Sequence, residues 1–364
     1  MIVNLAYLLD RPTGTTAYAL NLLPHLQSLR PTYLATPASR LDPSQYISVP
    51  SHLTQGTKGH LRRLWWTQFQ LAQLYQQQQA RLLFSPIPEA PLSVGRDRCR
   101  TVVTCHDLIP LRFPKMFGAI KYYYRYYVRQ VLTQAEQVIC NSEATARDIV
   151  QFYGISAKKL APIPLAHDAN HFQPTTDTPQ LPDHPNLIQR PYFVMLGRPV
   201  PYKNMRPAIA AMAQIPDCSL VIAGPSDPRY TPELKAFATE RGVRSRVHFL
   251  SYVPYAQLPA LLSHALALVF PSRWEGFGLP VLEAMACGTP VITANIASLP
   301  EVAGDAAYFI DDPLNADALG RAMYAIATDS QMRSQLRSAG LKRAKLFSWD
   351  KTGKATVAVL QRYL

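Results

Sequence analysis

Several features are scarce or missing in this chain, and each absence narrows the field. Glycine is low, at 16 of 364 residues against 32 prolines. No Gly-x-Gly-x-x-Gly string occurs, which argues against a dinucleotide-dependent dehydrogenase. No apolar run reaches about 18 residues, so no transmembrane helix is expected. No basic n-region with a cleavage site opens the sequence, and Met1-Ile2-Val3-Asn4-Leu5 reads directly as a strand, so no signal peptide is expected. The five cysteines (Cys99, Cys105, Cys140, Cys218 and Cys287) form no CxxC pair and are odd in number. They read as buried, reduced thiols of a cytosolic protein. No His/Cys cluster has zinc spacing, so no metal site is expected. Basic blocks longer than a few residues, zinc fingers and aromatic RNA-binding signatures are also missing, and nucleic acid is not expected as a partner.

What is present is globular: 48% hydrophobic and 17% charged residues, in a length suited to two domains. The formal net charge of +13 draws anions. Nucleotide phosphates, nucleic acid and an acidic membrane surface all satisfy that charge, and it does not choose among them.

Strands and helices alternate along the chain, the mark of parallel α/β sheets. The spacing predicts a strand over 2–8, a polar turn at Arg11-Pro12-Thr13-Gly14, and a helix over 16–29. A long helix over 60–79, strands over 81–84 and 101–104, a helical stretch over 117–132 and a strand over 137–140 follow. Ser142 suits the cap of the next helix, with Glu143 at its positive end. From His167 to Arg190 the pattern breaks into Pro, Thr and Asp. It restarts with strands over 192–196, 220–223, 247–249, 266–270 and 291–293. Helices over 205–213, 316–328 and 331–345 and a last one from Trp349 complete it. The division read here is a first domain over 1–170, a linker over 171–190, a second domain over 191–347, and a C-terminal helix over 348–364 as a candidate to pack back on the first domain. His167 and Asp168 read as hinge residues.

The most informative segment runs from Phe270 to Val291. A strand ends at Phe270, and a loop carries Glu275, Gly276, Phe277, Gly278 and Leu279. Pro280 suits the first helical position. The helix start offers unpaired N–H groups and a positive dipole end, suited to a phosphate or a sugar hydroxyl. Glu283 lies about one turn in. A second segment, Gly197-Arg198-Pro199-Val200-Pro201-Tyr202-Lys203-Asn204, sets two cations at the carboxyl end of a strand, where they can clamp a diphosphate or simply face solvent. A third, Cys105-His106-Asp107, puts His106 at another strand end, as a cleft residue or as a hydrogen-bonded structural turn. Gly14 permits close approach in the first turn, and a plain turn fits it equally. The loops at Gly224 and at Ser251-Tyr252-Val253-Pro254 end strands of the second domain.

The string Glu275-Gly-Phe-Gly-Leu-Pro, Glu283-Ala-Met-Ala-Cys-Gly and Pro290-Val resembles the Glu-x7-Glu signature of the retaining GT-B glycosyltransferases, a large family that includes bacterial mannosyl- and glucosyltransferases. That resemblance implies two Rossmann-like doubly wound domains facing a central cleft, the first binding acceptor and the second a nucleotide-sugar. It implies Glu275 on donor-sugar hydroxyls, Glu283 on the ribose, and the Phe277–Leu279 amides on sugar and phosphate. Arg198 and Lys203 fall on the pyrophosphate, His106 near the reacting sugar, and Gly224 and Val253 near the base. The family's first loop usually has two glycines, and here Gly14 stands alone. No Asp-x-Asp triplet occurs anywhere in the chain, whereas glycosyltransferases of a different fold hold a metal with one. The implied activity is metal-independent, retaining hexosyl transfer from GDP-mannose or a UDP-hexose to a glycan or lipid-linked acceptor, with no cofactor. A sugar phosphorylase, a sugar-nucleotide epimerase and a non-catalytic partner subunit are the alternatives on such a fold.

Lys121, Arg125 and Arg129 recur every four residues among five tyrosines. Two readings fit: a cationic aromatic face for an anionic membrane surface, or a helix partly buried on its own sheet. His60, Arg62, Arg63, Trp65 and Trp66 pose the same choice.

Overall fold

The near-continuous apolar runs become strands, and most are buried on both faces, as parallel strands covered by helices must be. In this computed structural model residues 1–8, 14–39, 41–54, 56–92, 99–180 and 190–364 are described. Arg11, Pro12 and Thr13 of the opening turn and residues 181–189 of the expected linker lie outside them. The chain divides into two units: Met1–Leu165 with Trp349–Leu364, and Ala166–Ser348.

The first unit holds β1 (Ile2–Leu5), β2 (Thr32–Ala35), β3 (Tyr46–Ser48), β4 (Leu83–Ser85), β5 (Thr101–Cys105), β6 (Gln137–Cys140) and β7 (Leu160–Pro162). They lie in the order β3-β2-β1-β4-β5-β6-β7, and every pairing is parallel. The second unit holds β8 (Tyr192–Leu196), β9 (Ser219–Ala223), β10 (Val247–Leu250), β11 (Ala267–Phe270), β12 (Val291–Ala294) and β13 (Tyr308–Ile310). Their order is β10-β9-β8-β11-β12-β13, again all parallel. Each sheet is doubly wound, and strand order reverses once, between β1 and β4 in one and between β8 and β11 in the other. Ligands of such sheets bind beyond the carboxyl ends of the strands at that reversal. Each unit has its own apolar core.

The first strand stops at Leu5, three residues short of its expected end, and the helix after it begins at Gly14 rather than Thr16. Ser142 caps its helix as expected, its hydroxyl accepting from the Thr145 N–H at 3.0 Å. The two long helical stretches of the first unit each contain a π-helical segment, Thr67–Leu71 and Tyr123–Val128. The helix Trp349–Gln361, last in the chain, packs on the helix Gly14–Leu26 within the first unit. All five cysteines are buried. Among the described residues no helix is long and apolar enough to cross a membrane.

Candidate active site

At the strand-order reversal of the second unit, the loop after β8 meets the loop after β11. Gly197 closes β8 by donating to the Ala223 carbonyl at 2.9 Å. A short 3-10 turn over Pro201–Lys203 follows, ended by Asn204 in the left-handed region at φ 59°. That side chain donates to the carbonyls of Pro271, at 3.1 Å, and Pro313. The Arg273 N–H donates to the Tyr202 carbonyl at 2.8 Å. The two loops are therefore fixed to each other by a main-chain hydrogen bond and by the Asn204 side chain.

On this frame the Lys203 Nζ donates to Glu275 Oε1 at 2.7 Å, and both side chains are largely shielded from solvent. The ammonium also lies over the Phe270 ring, 4.8 Å from its centroid. Two residues that the family resemblance assigns to different parts of one ligand thus form an ion pair. Arg198 is exposed, and among the described residues its side chain makes no hydrogen bond or ion pair. Its charge adds to the pull on Asp227, whose carboxyl is held at about 2 mainly by hydrogen bonds from the Arg229 side chain.

The Glu275 loop is held from below. Ser298 Oγ donates to the Glu275 carbonyl at 3.0 Å and to the Phe277 carbonyl at 2.8 Å. Gly276 and Phe277 are buried, and the Phe277 ring meets Phe347 edge-on at 6.1 Å. Gly278 precedes the helix Leu279–Ala286 at φ 101°, and a Cβ there would lie 2.9 Å from Leu299 Cδ2. Glycine is required by the turn itself. Leu279 is the first helical residue and Pro280 the second, one place later than expected. Of that first turn, Pro280 has no N–H and the Val281 N–H donates to the Gly278 carbonyl at 3.0 Å, which leaves the Leu279 amide at the positive end of the dipole. Glu283 lies four residues into the helix, where burial pushes its carboxyl up to about 7. Among the described residues no cation pairs with it.

Gly224, expected at the base, follows β9 and packs against the end of β8. At φ 159° it packs so closely on the end of β8 that a Cβ would lie 2.3 Å from the Gly197 carbonyl oxygen. Val253 is buried in the loop after β10, between the strongly exposed Tyr252 and Pro254. Tyr255 stacks on His171 at 3.9 Å.

His106 and Gly14 belong to the first unit. His106 follows β5, and its Nε2 lies 2.8 Å from the Pro86 carbonyl. A carbonyl only accepts, so Nε2 carries the proton and Nδ1 is the acceptor. Burial lowers the imidazole to about 4, which keeps it neutral. Tyr18 meets the ring edge-on at 5.0 Å. Asp107 Oδ1 accepts from the Ile109 N–H at 3.0 Å. Both the structural turn and the strand-end position are realised. Gly14 is exposed at the start of its helix.

Sequence reasoning missed Asn204, Ser298 and Ser272. Ser272 is fully buried, and its Oγ has no hydrogen-bond partner among the described residues. Only Asn204 left a local signal, since Asn is the non-glycine residue most at ease in the left-handed region. Among the described residues no group of three His, Cys, Asp or Glu could hold a metal ion.

The family model described as "Glycosyl transferases group 1" matches residues 180–343, and that described as "Glycosyltransferase Family 4" matches 12–171. The chain is 30% identical to the O-antigen chain mannosyltransferase B of Escherichia coli over 267 residues, which is 71% of this chain and 69% of that one. It is 28% identical to the serotype-specific mannosyltransferase WbdA of Escherichia coli, over 73% of this chain but only 34% of the relative, so it spans about a third of that protein. The structure of Anabaena HepE in complex with UDP-glucose superposes with a TM-score of 0.79 over 99% of both chains, at 20% identity. On these matches and on its two doubly wound parallel sheets, the chain belongs to the group 1 glycosyltransferases, enzymes here of the GT-B fold.

Proposed function

We propose that this enzyme transfers a hexosyl group, with retention and without a metal ion, from a nucleoside diphosphate sugar to a hydroxyl of a glycan or lipid-linked acceptor. The observation that carries this reading is the Lys203–Glu275 pair at 2.7 Å, seated at the strand-order reversal beside the start of the helix Leu279–Ala286. A carboxylate for sugar hydroxyls and a cation for a diphosphate are thereby held a hydrogen bond apart, as a hexose joined to a diphosphate requires. Arg198 and Lys203 bear the charge that grows on the departing diphosphate, and the amides of Phe277 to Leu279 add their dipoles. Glu283 takes the ribose hydroxyls, and Gly224 and Val253 line the approach of the base. Gly14 lets the first loop come close to the donor.

Retention without a carboxylate nucleophile is met by a front-face step. The bond from the anomeric carbon to the phosphate oxygen breaks, and the acceptor oxygen bonds on the same face. The acceptor proton passes to the departing phosphate oxygen. Neutral His106 offers Nδ1 as an acceptor to a sugar or acceptor hydroxyl and so orients it. The relatives named as mannosyltransferases favour a mannosyl donor, and the neighbour solved with UDP-glucose favours a glucosyl one.

A thermal-shift panel of GDP, UDP, GDP-mannose and UDP-glucose separates these, because a tight donor raises Tm by mass action. Lys203→Ala is expected to lower transfer by about 100-fold or more and also to lower Tm, since it strands Glu275. The double variant Lys203→Ala/Glu275→Gln is expected to regain Tm and stay inactive. Full transfer by either variant would sink the assignment.

A further inference from the structure

The fixed charge of this chain is divided unequally between its units. Residues 1–165 with 349–364 hold 21 Lys and Arg against 9 Asp and Glu, a net +12, whereas residues 166–348 hold 16 against 15, a net +1. The excess therefore does not lie with the candidate diphosphate site. Two segments of the first unit concentrate it. No acidic residue occurs between Asp42 and Glu89, and none between Asp107 and Glu136.

Those segments form two neighbouring helical stretches, Gly56–Gln77 and Ile120–Gln134. The inner sides join: Gln68 Nε2 donates to the Tyr127 hydroxyl at 3.0 Å, and His60 meets the Tyr123 ring edge-on at 5.0 Å. Arg63 holds the buried Glu89 with two hydrogen bonds of 2.8 Å, and the Tyr123 hydroxyl donates to the same carboxylate. Tyr123, Tyr124 and Tyr127 pack on the core. So three of the five tyrosines are spent on folding.

The other two, with four further apolar side chains, are not. Leu61, Trp65 and Phe69 on one helix and Ile120, Tyr122 and Tyr126 on the other are 52–62% exposed. They are six of the thirteen large apolar side chains exposed among the described residues, gathered on two elements. Trp65 lies 5.3 Å from Phe69, and Tyr122 stacks on Tyr126 within 6°. Arg62, Arg125 and Arg129 are exposed beside them. Apolar side chains at this density mark an interaction surface.

We propose that this face docks on an anionic lipid bilayer. The six apolar side chains enter the boundary between headgroups and acyl chains, and the arginines meet lipid phosphates. A single-stranded nucleic acid would use the rings and the arginines but leave Leu61 and Ile120 in water, whereas a bilayer takes all six. The proposal rests on the first unit alone, so its failure leaves the donor-site reading untouched.

The test is co-sedimentation of the full chain with vesicles of phosphatidylcholine alone or mixed with phosphatidylglycerol. Binding is expected only to the mixed vesicles, weakened by salt, with tryptophan emission shifted to the blue. Trp65→Ser/Phe69→Ser and, separately, Arg125→Gln/Arg129→Gln are expected to lower partitioning about tenfold or more. Both should keep the parent Tm and its rise with nucleotide, since the altered side chains are exposed. The proposal is overturned if the parent stays in the supernatant with every vesicle, if both variants sediment as well as the parent, or if only a single-stranded oligonucleotide is bound.

Discussion

Glu283 carries a proton over much of the neutral range in the free enzyme, because burial on its helix lifts the carboxyl to about 7 and no described cation offsets it. An ionised carboxylate accepts from two vicinal ribose hydroxyls, while a protonated one spends an oxygen as donor. If Glu283 meets the ribose, nucleotide binding favours the ionised form and releases a proton. Nucleoside diphosphate affinity is then expected to fall severalfold as pH drops through about 7. Calorimetry in buffers of different ionisation heat would register the released proton, and Glu283→Gln should flatten the pH dependence. Affinity that stays level for the parent enzyme across that range would count against the ribose contact. Stability runs the other way. The folded value is raised above the ordinary 4.5, so this group's contribution is fully present below about 4.5 and is lost as pH rises through about 7. The free enzyme should therefore gain stability on mild acidification while it loses affinity, a combination that global acid damage would not produce.

The ends of β8 and β9 show how a single atom can set an element's position. Gly224→Ala would drive a methyl to within 2.3 Å of the Gly197 carbonyl oxygen, a contact with main chain that no side-chain rotation relieves. The loop carrying Arg198 must then shift. Expected outcomes are a loss of about 1–3 kcal/mol, read by chemical denaturation, and at least a tenfold loss of nucleotide affinity. Unchanged affinity in a folded Gly224→Ala protein would mean that the loop is not positioned by this packing. The sequence showed the strands β8, β9 and β11 to within a residue, since four or five consecutive apolar residues can only be interior. It did not show β2, β3, β7 or β13, three- and four-residue strands lacking such a run and too short for a period. The glutamates and the two cations were singled out by the resemblance of their segments to the family's signature, while strand ends and helix starts only located them. The direct pairing of Lys203 with Glu275 across 72 positions, the Ser298 clamp and the packing role of Gly224 were not, because each depends on where a distant turn lies.

On the scale of the whole chain, the last helix belongs with the first unit rather than with the unit that precedes it. Thr352 Oγ1 donates to the Pro164 carbonyl at 2.8 Å, and the Tyr363 hydroxyl to Gln137 Oε1 at 2.8 Å. Trp349 lies 6.4 Å from Tyr18, and Val359 and Leu360 are buried. The first unit is thus closed by a segment on the far side of the second unit in sequence, and its fold depends on that segment. Ending the chain at Ser348 removes that cover from the helix Gly14–Leu26. Each buried aliphatic side chain lost costs roughly 1.5–3 kcal/mol, so two of them, about 3–6 kcal/mol, reach the lower end of the total stability of a small domain, about 5–15 kcal/mol. Hydrogen exchange is expected to quicken across β1, β5 and β6 and to stay near the parent rate across β8, β9 and β11, whose unit contains no deleted residue. The truncated protein should still show the nucleotide-induced rise in Tm that belongs to the second unit, while transfer to any acceptor is lost. Exchange that quickens equally in both sheets would instead make the two units one cooperative body, and the last helix a fastening for the whole molecule.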